Sequence, residues 1–275
     1  MRQQYSSARL LASAALTVAL ATGLGGCQTM SDITGSITSS RSETATAPSP
    51  DPDPRAIDAY GERYRANPKD VDAALAYGQA LRANGQRAQA AAVLEQATIA
   101  NPNNRPLLAA YGRALADNGS FQQAFDVLSR AHSPANPDWR ILSVQGTALD
   151  QLGRHEEARR YYESALKIVP NEPSVLSNLG LSYMLSKDLP KAEQMLRQAY
   201  ANPKADSRVR QNLGLVVGLQ GRFAEAETIV KGDLPPDEAA ANVAYLREML
   251  KGRDNARASA GGRGTVPIAD LNRPD

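Results

Sequence analysis

Cysteine is almost missing from this chain of 275 residues, which has one, Cys27. A single thiol cannot close an internal disulfide, so the folded part must stand on packing alone. Histidine is nearly as scarce, with His132 and His155 the only two. They fall between helical segments in different parts of the chain, and HEEAR at 155 lacks the second His of a zinc-binding helix, so both are expected to be solvated surface residues. No GxxxxGK phosphate loop occurs, and the consecutive carboxylates Glu156 and Glu157 would point apart on a helix. Enzymatic activity therefore has no residue to rest on, and neither a metal nor another cofactor is expected. Aromatic residues make up 5% of the chain, while Ala and Leu are abundant, which favours helices packed through small side chains. Charge of one sign is also lacking. The formal net charge is +2, and removing Arg2 and Arg9 from the 31 Lys and Arg leaves 29, equal to the 29 Asp and Glu. Such a balance gives no electrostatic case for nucleic acid as a partner.

Long apolar runs are missing as well. The one uncharged stretch, Leu10 to Gly25, is shorter than the roughly 20 residues that span a bilayer. It follows MRQQYSSAR, with two arginines, and leads into Gly25, Gly26 and Cys27. A charged start, an apolar middle and a small-residue exit are the parts of a secretory signal peptide, placed at residues 1–26. The exit Leu24-Gly25-Gly26-Cys27 resembles the lipobox of bacterial lipoproteins. That resemblance implies cleavage before Cys27 and diacylglycerol on its thiol, and two acyl chains suffice for stable anchoring. Gln28, where an Asp would favour retention, implies the outer membrane, periplasmic face; the inner membrane is the alternative. Residues 27–54, rich in Ser, Thr, Pro and Asp, read as the lipidated Cys and a disordered tether. Such a tether averages about 30 Å end to end.

What the chain has in abundance is a period. Gly78, Gly112, Gly146, Gly180 and Gly214 recur every 34 residues, as do Ala90, Ala124, Ala158, Ala192 and Ala226. Each Gly falls on a first helix and each Ala, twelve residues on, on a second. Between them stands Gly85, Gly119, Gly153 or Gly221, with Lys187 at that place in the fourth unit. Glycine suits the left-handed end of a first helix, and Ser120 with Gln123 can form a capping box on the second. Large residues at Leu81, Leu115, Leu149, Tyr183 and Val217, then at Leu94, Leu128, Tyr162, Leu196 and Val230, are expected to fill the gap to the next unit.

The period and the signatures YGQAL, YGRAL, QGTAL, LGLSY and LGLVV resemble the tetratricopeptide repeat. The resemblance implies an all-α superhelix, an α-solenoid of five units at 71–104, 105–138, 139–172, 173–206 and 207–234. A capping helix is expected within 55–70 and another within 235–251, where Val243, Leu246 and Leu250 share a face that seals the end. Residues 252–275 read as a flexible tail. By analogy with such arrays, the first helices line a partner-binding groove through Gln79, Arg82, Arg113, Arg140, Asp150, Leu181, Met184, Leu185, Arg208, Leu215 and Leu219. This would make it polar and Arg-bearing in units one to three and apolar in four and five. The C-terminal helix or the tail covering those leucines is the competing expectation.

Lipobox, tether, repeats and the end helix AAANVAYLREML together resemble the TadD-type lipoproteins of Flp, or tight-adherence, pilus assembly. That resemblance implies a non-enzymatic adaptor that helps place the pilus secretin, as a pilotin does. The alternative is a periplasmic adaptor lipoprotein serving cell-envelope enzymes or outer-membrane protein assembly.

Overall fold

A computed structural model describes residues 54–261. Cys27, the lipobox residues Leu24, Gly25 and Gly26, and nearly all of the tether lie outside the described residues. Twelve helices follow one another without a strand among the described residues. They are α1 Pro54–Ala66, α2 Val71–Ala83, α3 Arg87–Ala100, α4 Arg105–Asp117, α5 Phe121–Ala131, α6 Trp139–Gln151, α7 His155–Ile168, α8 Pro173–Leu185, α9 Leu189–Tyr200, α10 Ser207–Leu219, α11 Phe223–Val230 and α12 Pro236–Gly261. From α2 to α11 they form five antiparallel pairs, and each first helix also packs beside the first helix of the next pair. This is the tetratricopeptide-type α-solenoid that the period predicts.

The two helices of a pair start differently, for a chemical reason. First helices carry side-chain caps: Asp70 accepts from the amides of Asp72 and Ala73, Asn104 from Leu107, Asp138 from Arg140 and Asp206 from Val209. In α8, Pro173 starts the helix and has no amide to cap. Second helices instead grow out of the turn that ends the first, and only α9 among them adds a side-chain cap, Asp188 accepting from the Lys191 amide at 3.2 Å. The amides of Gln86, Ser120, Arg154, Asp188 and Arg222 donate back to the carbonyls of Leu81, Leu115, Leu149, Tyr183 and Val217. Together with left-handed Gly85, Gly119, Gly153, Lys187 and Gly221, these bonds form a Schellman turn in every unit. The expected capping box on α5 is therefore absent: the Ser120 amide it needs already donates to Leu115 at 2.9 Å. Ser120 makes no side-chain cap, and Gln123 Nε2 donates to Tyr111 Oη at 3.0 Å, as Gln89 does to Tyr77 one unit earlier.

The periodic glycines mark where the helices of a pair touch. A Cβ on Gly78, Gly112, Gly146, Gly180 or Gly214 would come within 2.4–2.7 Å of Leu94, Leu128, Tyr162, Leu196 or Val230, respectively. These large residues thus fill the contact inside their own unit, correcting the expectation that they fill the gap to the next. Ala90, Ala124, Ala158, Ala192 and Ala226 are all buried, leaving room for the close approach.

Helix α12 stands beside α10 as the next member of the row of first helices, and among the described residues its backbone approaches α10 and α11. Ala239, Val243, Leu246 and Leu250 form its buried stripe, and Leu246 occupies the space over Gly218, where a Cβ would lie 2.5 Å away. It runs to Gly261, ten residues past the expected end at 251. That extension has no proline and, before its end, only Gly252 as an interior glycine, so no strong breaker stops the helix earlier.

Candidate functional site

Equivalent positions of successive first helices fall into files along the row. Gln79, Arg113, Thr147, Leu181 and Leu215 make one file at the 34-residue period; Gln79 is exposed and the other four are half-buried. Its chemistry changes along its length, from amide and guanidinium to two leucines. Beside the apolar end, Met184, Leu185 and Leu219 are also half-buried, and Met184 packs against the core formed by Leu196, Leu213 and Val217. Among the described residues the backbone of α12 approaches α10 and α11 but not α8, although Val243 of α12 joins the cluster against which Met184 packs; Leu181, Met184 and Leu185 stay half-buried.

The cationic end is built from three arginines in different states. Arg82 Nε donates to Asp117 Oδ2 at 2.6 Å across two units. Arg140 is exposed, its guanidinium 4.4 Å from the centre of the Trp139 ring, a cation–π arrangement. Arg113 is half-buried, yet no described residue gives it a hydrogen bond or ion pair. Burial draws its pKa down, and of its charged neighbours Asp138 and Asp117 oppose that shift while Arg82 and Arg140 add to it. At the far end Arg208 is exposed and bridges to Asp206 at 2.7 Å.

Asp150 does not belong to this surface. Its side chain is 6% exposed and accepts from Tyr162 Oη at 3.0 Å and Ser182 Oγ at 2.8 Å. His155 Nδ1 lies 2.9 Å from the same carboxylate. The phenol that covers Gly146 thus brings a hydroxyl into the interior, and the carboxylate receives it. Burial, followed by the Asp150 charge, pushes the Tyr162 pKa well above its ordinary value. Asp150, His155 and Ser182 are not set up for nucleophilic catalysis, because Ser182 Oγ donates straight to Asp150 and is wholly buried.

Neither histidine is the solvated residue expected. His155 is tied to Asp150, and His132 Nε2 lies 3.0 Å from Gln145 Oε1, whose amide nitrogen donates to Ser129 Oγ. The linker after α5 is long enough to fold back over Gln145, which stands where units one and two place Tyr77 and Tyr111. Among the described residues no cluster of three His, Cys, Asp or Glu side chains could hold a metal.

One set of contacts is invisible at the 34-residue period. Asn178 Nδ2 donates to Ser143 Oγ at 3.2 Å, and Asn212 Nδ2 to Ser177 Oγ at 3.0 Å. Both pairs, like Arg82 and Asp117, are 35 residues apart and join successive first helices as rungs. Matching polar types at the period plus one is the signal that finds them.

Residues 71–113 and 140–205 match tetratricopeptide-repeat family models. No curated protein matches the sequence significantly. Among solved structures, PilW, described as a widely conserved type IV pilus biogenesis factor, is similar at 16% identity and a TM-score of 0.60, over 69% of this chain and 90% of that one. The APC/C hetero-tetramer Cut9–Hcn1 is similar at 18% identity and a TM-score of 0.56, over 72% of this chain and 40% of that one. MamA AMB-1 reaches 27% identity with a TM-score of 0.46, over 53% of this chain and 86% of that one. What PilW and Cut9–Hcn1 share with this chain at such identities is architecture. The chain carries tetratricopeptide repeats, and its described residues form a solenoid of five helix pairs flanked by a further helix on either side.

Proposed function

We propose that this protein is a non-enzymatic adaptor, fixed to the outer membrane through Cys27, whose first-helix row holds a protein partner during pilus assembly. The observation that carries the reading is the file from Arg113 to Leu215. It is partly exposed along its length, it is chemically graded, and the backbone of the end helix does not approach α8 among the described residues. Rigid helices presenting such a file suit an extended or helical segment of another protein. The lipobox and tether resemblance supports the anchor, and the resemblance to TadD-type lipoproteins supports a pilus secretin as partner. PilW's description as a pilus biogenesis factor accords with that choice.

Co-purification of the secretin with the full chain tests the proposal. Changing Leu181, Met184 and Leu215 to polar residues is expected to abolish capture while helix content stays the same. Undiminished capture by that variant removes the groove from the mechanism, and absence of the secretin from the eluate removes the pilotin role.

A further inference from the structure

We infer, building on the groove reading, that the partner segment is acidic at one end and apolar at the other. A carboxylate on Arg113 and leucine-like side chains about six and nine residues away, over Leu181 and Leu215, fix its position and direction.

Arg113 carries the argument. A guanidinium has five donors and keeps its charge at any ordinary pH, so half-burying it without an acceptor is costly. Elsewhere in these repeats the problem is solved within the chain: half-buried Arg82 has Asp117 and half-buried Arg210 has Asp233. Arg113 has no such partner among the described residues, although Asp117 and Asp138 are near enough to act on it electrostatically. Asp117 is occupied by Arg82, and the Asp138 carboxylate caps α6 through the Arg140 amide at 2.8 Å. Each nearby carboxylate thus already serves another group through one oxygen, and neither reaches Arg113 with a hydrogen bond. The same cluster counts Arg82, Arg113 and Arg140 against Asp117 and Asp138, leaving an excess of positive charge at this end of the file. A carboxylate from outside complements it, with two parallel bonds to one guanidinium available.

Spacing sets the rest. Packed helices lie about 8–10 Å apart, so two steps along the row from α4 to α8 cover roughly 20 Å. An extended chain advances about 3.3 Å per residue and crosses that distance in about six. One further step to Leu215 adds about three.

The probe is a synthetic peptide of Ser and Gly bearing one Glu, then Leu six and nine residues later; its companions have Gln for Glu, or Ser for both Leu. Trp139 is the only tryptophan in the chain and lies under Arg140, so its emission reports binding at this end in the full chain held in mild detergent. The Glu peptide is expected to bind about tenfold more tightly than the Gln peptide, a difference ordinary for a charge-assisted pair. Arg113→Gln is expected to bind both with the weaker affinity at unchanged helix content and melting temperature, and Arg160→Gln, an exposed arginine on the second helix α7, to keep the tenfold preference. A preference surviving in Arg113→Gln overturns the assignment of the anchor. Equal binding of the Glu and Gln peptides, with loss on Leu→Ser, overturns the acidic anchor and leaves the groove reading standing. Failure of the Glu peptide to bind, or indifference to all three sequences, sinks both. Arg113→Gln altering Trp139 emission without peptide, and Asp51→Asn with Asp53→Asn doing the same, would assign the site to the chain's own acidic segment and overturn the partner.

Discussion

Gly112 sits where a Cβ would come 2.4 Å from Leu128 Cγ and 3.4 Å from the carbonyl oxygen of Ala124. Leu128 is wholly buried and has no room to withdraw. Gly112→Ala is therefore expected to destabilise the protein by about 1–3 kcal/mol through overpacking, despite alanine's better helix propensity. Gly252→Ala, in open space on α12, should instead be neutral or slightly stabilising, and urea unfolding of the two variants measures the contrast. The glycines were legible because their period is strict and their reason is steric. Asp150 was not: it shares a file with Arg82 and Met184, and partners from other helices, Tyr162, Ser182 and His155, make it an interior residue. Tyr162→Phe is expected to cost about 1–3 kcal/mol by removing a donor from a buried carboxylate.

At the scale of a helix pair, the Schellman turn makes one residue decide how two helices join. Lys187 holds a φ of 66° where the other units have glycine. Lys187→Gly is expected to stabilise by about 0.5–1 kcal/mol, the relief of left-handed strain less the entropy glycine regains when unfolded. Gly119→Ala, with nothing within 4 Å of its Cβ but a φ of 82°, should destabilise by a similar amount, and thermal melts give both signs. The left-handed position could be read from the glycines themselves, whereas the absence of the Ser120 capping box could not. Its cause is a backbone bond to Leu115 that side-chain patterns do not encode.

Across the molecule, ion pairs tie the last units together around Glu193, which accepts from Arg197, Gln220 and Arg222. Its pKa falls to about 2, first through the bond to Arg222, then against the cost of burial, and then through Gln220 and Arg197. A depressed carboxylate contributes its stability above the unfolded pKa near 4.5 and loses it as pH falls through the folded value near 2. The melting temperature should therefore drop between those limits, and Glu193→Gln should flatten that part of the profile. The membrane anchor is tested at the same scale: Cys27→Ser should leave helix content unchanged while releasing the protein from the membrane fraction or leaving it uncleaved. Normal processing and retention in that variant would remove the lipoprotein reading. The solenoid was legible in the sequence because its period is written in packing residues. The state of each arginine was not, since that depends on rungs between units.

Among the described residues the backbone of α1 approaches only that of α2, with Ile57 in the core and Tyr64 against Tyr77, whose ring centres are 5.9 Å apart, while Tyr64 and Arg65 also line a shallow pocket with Ile99 of α3. Mechanical tension entering through the chain before Pro54, while a partner grips the first-helix row, would load this small terminal contact first. It would peel α1 away at modest force before loading the groove. A single-molecule pulling trace should then show a small first extension of about one helix, with the five pairs still folded behind it.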